Sequence, residues 1–154
     1  MLNPKPSSLY PSPTPTQTPD STANLSRVES KDWKTYRNTS QKYTLEYPPS
    51  WEVSEESYSE SSYILHSSLF KENRKNQLTV EVYSKFLIPA VPEDKILRTE
   101  EIAVGDVSAT KNWHNSFGPT IEVLIPFQGK LYRVTAVNDE TLDQILSTFK
   151  FLEE

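Results

Sequence analysis

Any chemistry in this chain must come from a short list of residue types. There are two histidines, His66 and His114, and no cysteine. A nucleophile needs a base beside it, and those imidazoles are the side chains whose ordinary titration falls near neutrality. No Gly-x-Ser-x-Gly elbow surrounds a serine. Gly105, Gly118 and Gly129 are isolated from one another, so neither a Walker loop nor a dinucleotide fingerprint can be assembled. Without cysteine there is no disulfide, thiol nucleophile or thiolate zinc site. Zinc usually takes three or four protein ligands, and no His-x-His or His-x-x-x-His pair occurs. A histidine metal site would need His66 and His114 to converge from separate strands with a carboxylate. Glu52, Glu55, Glu56 and Glu60 are close in sequence, as paired catalytic carboxylates must be in space. Their stretch reads first as a solvated acidic loop, and it lacks the Asp-rich, glycine-bearing pattern of a calcium loop. The expectation is no catalytic residue, no metal and no cofactor.

Binding is the other chemistry on offer. Tyr58, Tyr83, Tyr132, Trp113 and Phe117 can line a groove if several share an outer sheet face, where aromatic side chains serve as anchors. The alternative is that a helix covers that face. Residues 111–117, with Gly118-Pro119 next to them, are the first place to look. The candidate binding residues are therefore Trp113, His114, Phe117, Tyr83 and Tyr132.

The elements that must position these residues are mostly strands. Tyr43, Leu45 and Tyr47 alternate with polar residues, which predicts a strand facing inward with those three. Pro48-Pro49 ends it, since proline lacks the ladder N–H. Residues 33–37 predict a short entry strand, 51–53 resume an extended pattern, and 62–67 predict a strand around Tyr63, Ile64 and Leu65. Over 77–86, Leu78, Val80, Val82, Ser84 and Phe86 share one face, and the β-branched content predicts a central strand. Residues 92–95 can form one helical turn. Two hairpins follow, turning at Gly105-Asp106 and at Gln128-Gly129, and hairpins make an antiparallel sheet. Pro126 places the outgoing strand of the second hairpin at an edge or a bulge. Leu142, Ile145, Leu146 and Phe149 fall at helical spacing, with Asn138, Asp139 or Thr141 as the cap. The predicted fold is α+β: an antiparallel sheet with that C-terminal helix, and one or two short helices, packed on it.

The 154 residues divide into a leader, 1–30, and one domain, 31–154. Six of the twelve prolines lie in the first twenty residues, interleaved with Ser and Thr. Such a stretch buries too little apolar surface to offset the entropy of ordering it. It reads as an extended spacer, with a ligand for a proline-binding module as the alternative. A spacer needs an anchor, so the reading expects one upstream of residue 1, with Met1 added as a start. Formal net charge is −5. Lys5 and Arg27 balance Asp20 and Glu29, so the surplus belongs to the domain, which disfavours nucleic acid and anionic membrane as partners. The basic run at 71–75 reads as a solvated turn.

Two segments carry a family resemblance. Tyr36-Arg37-Asn38, then Tyr43-Thr44-Leu45-Glu46-Tyr47-Pro48-Pro49-Ser50-Trp51-Glu52-Val53, resembles the opening of PsbP-like domains, where a strand ends in Tyr-Pro-x-x-Trp and a second follows. The run 142–151, LDQILSTFKF, is similar to the last helix of bacterial relatives. The resemblance implies an antiparallel sheet flanked by helices, in an exported or membrane-tethered protein without known catalysis. Its plant and cyanobacterial members are accessory proteins of photosystem II. No functional residue carries over, because the matching positions are structural. The resulting expectation is a non-catalytic, monomeric accessory or protein-binding module. It would sit outside the cytoplasm in the cell envelope, near a membrane only through the missing anchor, with an unidentified protein partner. The alternative is a small metal-dependent hydrolase or small-ligand binder using His66, His114 and nearby acidic or aromatic residues.

Overall fold

The computed structural model describes residues 32–59, 63–84 and 91–153. In chain order they form β1 (Lys34–Asn38), β2 (Tyr43–Tyr47), β3 (Glu52–Ser57), β4 (Ile64–Glu72), β5 (Lys75–Tyr83), a 3-10 turn (Glu93–Lys95), β6 (Ile96–Val104), β7 (Val107–His114), β8 (Thr120–Phe127), β9 (Lys130–Ala136), α1 (Asp139–Thr148) and β10 (Lys150–Phe151). Seven strands make one sheet in the order β3-β4-β5-β9-β8-β7-β6, and β1-β2-β10 make a second. Every pairing is antiparallel. The architecture is therefore dominated by sheet, with α1 as its one long helix among the described residues. The leader, residues 1–30, lies outside the described residues, as does Phe86.

Alternation decides which side chains meet. Leu78, Val80 and Val82 on β5 stand opposite Ala136, Val134 and Tyr132 on β9, and β8 adds Ile121, Val123 and Ile125 to the same face. Onto that face pack Tyr43 and Leu45 of β2 and Leu142, Ile145 and Leu146 of α1, forming one core. The helix starts as its sequence predicts. Asn138 Oδ1 accepts from the Thr141 N–H at 2.9 Å, and Asp139 and Glu140 occupy the first turn. Phe149 follows the helix in extended conformation, stacks on Tyr43 with ring centres 5.4 Å apart, and leads into β10.

Three expectations change. The acidic stretch after Trp51 is an edge strand, β3, along Glu52–Ser57 rather than a loop. Five of its six residues are exposed and Val53 is its single apolar one, so periodicity misses it. β4 runs on to Glu72, beyond the predicted 62–67. Pro126 lies in β8, an interior strand rather than an edge, but the β7 ladder stops at Leu124. Past that point the β7 side of β8 is locally unpaired, which is where a residue without an N–H fits.

The opposite face of the large sheet carries a row of polar side chains across five strands. Tyr83 Oη donates to Glu81 Oε2 at 3.1 Å, which also receives Arg133 at 3.4 Å. Arg133 Nε donates to Glu122 Oε1 at 2.6 Å. Asn112 donates to the other Glu122 oxygen at 3.5 Å and accepts from Thr99 at 2.9 Å. Glu122 is fully buried.

Candidate functional site

His66 and His114 do not converge. His66 is on β4 and faces the core, as its partner Val82 does. His114 is on β7, on the opposite face from its neighbour Trp113, which stands beside Ile121 of the core face. Strands β5, β9 and β8 separate the two, a span of about 19 Å at ~4.8 Å per strand. Among the described residues no group of three His, Asp or Glu side chains is placed to hold a metal ion.

The predicted aromatic groove does not form either, because its members point to both faces. Tyr132 faces the core and Tyr83 the opposite side, each only 2% exposed. Tyr132 Oη donates to the Gln41 carbonyl at 2.8 Å. His114 is buried, and neither ring nitrogen has a hydrogen-bond partner. Trp113 is half-buried beside the start of α1, donating to Asp139 Oδ2 at 3.1 Å. The Arg98 guanidinium lies 4.5 Å from its ring centre and Lys111 Nζ 4.9 Å. Lys111 itself is buried between Asp139 and Asp143, at 2.5 and 2.6 Å. Burial works against its charge, yet the two carboxylates outweigh burial and hold its pKa above the ordinary value. Phe117 projects fully into solvent from the β7–β8 loop.

The densest polar constellation is elsewhere, where the small sheet meets β3 and β4. Ile64 pairs with Tyr83 and His66 with Val82, so a bulge at Leu65 lets residues two apart face opposite ways and turns His66 inward. Ser68 follows on the same face, and Glu55 and Ser57 of β3 lie opposite Ser68 and His66. From above, β1 lowers Tyr36 and Asn38 onto them, and β2 lowers Tyr43.

The hydrogen-bond directions follow from which groups can only donate or only accept. Glu55 is a carboxylate, so Tyr36 Oη donates to its Oε1, at 2.5 Å. Ser68 Oγ bridges Tyr36 Oη (2.8 Å), Tyr43 Oη (2.9 Å) and His66 Nε2 (2.8 Å). Asn38 Oδ1 accepts from the Gln41 N–H at 2.8 Å, which fixes the amide and turns Nδ2 toward Tyr36 Oη (3.1 Å) and His66 Nε2 (2.9 Å). An amide nitrogen only donates, so the Asn38 contact assigns Nε2 as an acceptor, and Ser68 Oγ, with a single proton, donates to Nε2 or to Tyr36 Oη but not to both. The ring proton then belongs on Nδ1, where Ser57 Oγ lies 3.3 Å away.

Electrostatics agree. Burial lowers the His66 pKa below its ordinary 6.5, with the Glu55 charge opposing this less strongly. Burial raises the Tyr36 phenol, and the hydrogen bond to Glu55 adds to the rise. Burial also pushes Tyr43 far up. The cluster opens on one side to a polar cleft of about 200 Å³ lined by residues that include Arg37, Gln41, Glu55, Ser57 and His66.

Sequence reasoning singled out His66 and Glu55 but missed Tyr36, Asn38, Ser57 and Ser68. One signal was present. In His66-Ser67-Ser68-Leu69-Phe70, the strand pattern puts His66 and Ser68 on the same side as Phe70, so polar groups were bound for an apolar interior and needed partners there.

The fold is PsbP-like. No protein-family model matches the sequence, and no curated protein matches it. Solved structures do. The solution structure of cyanobacterial PsbP (CyanoP) from Synechocystis sp. PCC 6803 is similar over 77% of this chain and 92% of that one, with a TM-score of 0.53 and 13% identity. A crystal structure from Bacteroides thetaiotaomicron VPI-5482 is similar over 79% of this chain and 49% of that one, with a TM-score of 0.51 and 10% identity.

Proposed function

We propose that this domain is a non-catalytic accessory module that binds a protein partner outside the cytoplasm, held near a membrane by its Pro/Ser/Thr-rich leader. The observation that carries the non-catalytic half is the state of the one histidine with polar partners. A serine becomes a nucleophile when an imidazole nitrogen with a free lone pair takes its proton. Ser57 faces the His66 nitrogen that bears the proton. Ser68 faces the accepting nitrogen, but at 0% exposure it meets no substrate. The Ser57 pair ties β3 to β4, and the Ser68 pair lies within β4, where Ser68 also meets Tyr36 of β1 and Tyr43 of β2.

The binding half rests on the PsbP-like fold, shared with cyanobacterial PsbP, and on fully exposed Phe117. Among the described residues, no helix is long and apolar enough to cross a membrane; the membrane association proposed here runs through the leader. Placing a photo-crosslinking residue at Phe117 in the full chain in its native host tests the reading. The expected outcome is one discrete crosslinked protein in the envelope fraction, absent when the probe is moved to Asp106. Cytoplasmic fractionation of the full chain would sink the location. Ester or phosphoester turnover abolished by Ser57→Ala would sink the non-catalytic reading.

A further inference from the structure

The cluster around His66 is also the polar part of the joint between the two sheets. Tyr36 and Asn38 come from β1 and Tyr43 from β2. Their partners Glu55, His66 and Ser68 come from β3 and β4. From this geometry we propose that His66 makes the docking of the β1–β2 hairpin sensitive to acid, the neutral ring clasping the hairpin and the protonated ring releasing it.

The argument turns on Asn38. The Gln41 N–H holds its Oδ1, so the amide cannot flip to offer an acceptor without losing that bond. When His66 takes a second proton, Nε2–H meets the Asn38 Nδ2 hydrogens at 2.9 Å, donor against donor. Ser68 Oγ can still accept from Nε2–H, but the contact to Asn38 turns repulsive. The groups facing His66 do not rescue the cation. From β1, Tyr36 is neutral, and the Arg37 guanidinium in the adjoining cleft disfavours a second positive charge. From β2 comes neutral Tyr43, from β3 the Glu55 carboxylate and neutral Ser57, and from β5 apolar Val82. Glu55 alone favours the cation, and burial outweighs it.

The sign follows from linkage. A histidine whose folded pKa lies below its unfolded value binds more protons unfolded, so stability falls as pH falls. The contribution is complete above the ordinary 6.5 and is lost progressively below it, toward the lower folded value. Carboxylates titrate mostly below this window, at about 4.

The test is amide hydrogen exchange on the full chain at about pH 7.5 and about pH 5.5, with protection factors corrected for intrinsic rates. Protection of β1 and β2 amides is expected to fall several-fold more than that of β8 and β9. His66→Gln, whose side-chain oxygen can still accept from Asn38 and cannot titrate, is expected to remove the differential loss. A loss that persists in His66→Gln would overturn the proposal, pointing to His114 or a carboxylate. Should that variant not fold, imidazole nitrogen shifts of the native protein decide. A proton on Nδ1 with titration below 6.5 supports the clasp, and a proton on Nε2 or titration at or above 6.5 overturns it.

Discussion

Asn73 and Arg74 join β4 to β5 as a two-residue turn, and both take positive φ, 50° and 67°. Turns of this kind match the right-handed twist of the strands they join, and they favour Asn followed by glycine. Arg74 holds a side chain in left-handed backbone, which costs roughly 1–2 kcal/mol. Arg74→Gly is therefore expected to raise the unfolding free energy by about 1 kcal/mol in chemical denaturation, with no change in slope. Glycine's greater freedom in the unfolded chain keeps the gain from being larger. That the chain turns within 71–75 is legible from its polarity, although only Asn73 and Arg74 lie outside the two strands. That its two central residues are left-handed is not, because the pattern in sequence lacks the glycine that would announce it. His66 shows the same limit: its side chain is visible in the sequence, but its tautomer depends on a backbone N–H at Gln41 and an amide at Asn38, 28 residues away.

Among the elements, the strands with internal contrast are the legible ones. β2 matches its predicted span, Tyr43–Tyr47, because each inward residue is large and each outward one polar. The hairpins at Gly105 and Gln128-Gly129 and the spacing of α1 are legible for similar local reasons. β3 is not, since its apolar content is a single valine and its pairing with β4 is what makes it a strand. The polar row on the far face is equally silent in sequence, because Glu81, Glu122 and Arg133 are ordinary surface residues until strand order brings them together. Breaking one partner of a buried ion pair strands the other charge, at roughly 3–5 kcal/mol, whereas replacing both with apolar residues is often neutral. Arg133→Met should lower stability by about that amount, and Arg133→Met combined with Glu122→Leu should recover most of it. Equal losses in the single and double variants, measured by thermal and denaturant unfolding, would mean the row adds nothing beyond packing.

For the whole molecule, the decisive contact is where the end of the domain folds back onto its beginning. Phe149 stacks on Tyr43, Phe151 stacks on Phe127 at 3.7 Å, and Tyr132 meets both phenylalanines edge-on. Phe149→Ala removes a ring from the middle of that group and is expected to cost about 3–5 kcal/mol. An unchanged thermal midpoint would contradict the layered packing of α1 and β2 on the large sheet. The layers themselves were legible only as a class, α+β with a terminal helix. The separation into seven and three strands was not, because β10 is two residues long and joins β2 from more than a hundred positions away.

That last pairing has a consequence for synthesis. β2 lies between β1, which opens the described domain, and β10, which closes it. During translation the hairpin of β1 and β2 can form early, but its other edge and the aromatic group beneath it stay open until Phe151 has cleared the ribosome. Pairings this distant along the chain slow folding. The three-stranded sheet and the aromatic group beneath it therefore cannot be completed until the last strand of the described domain has been made.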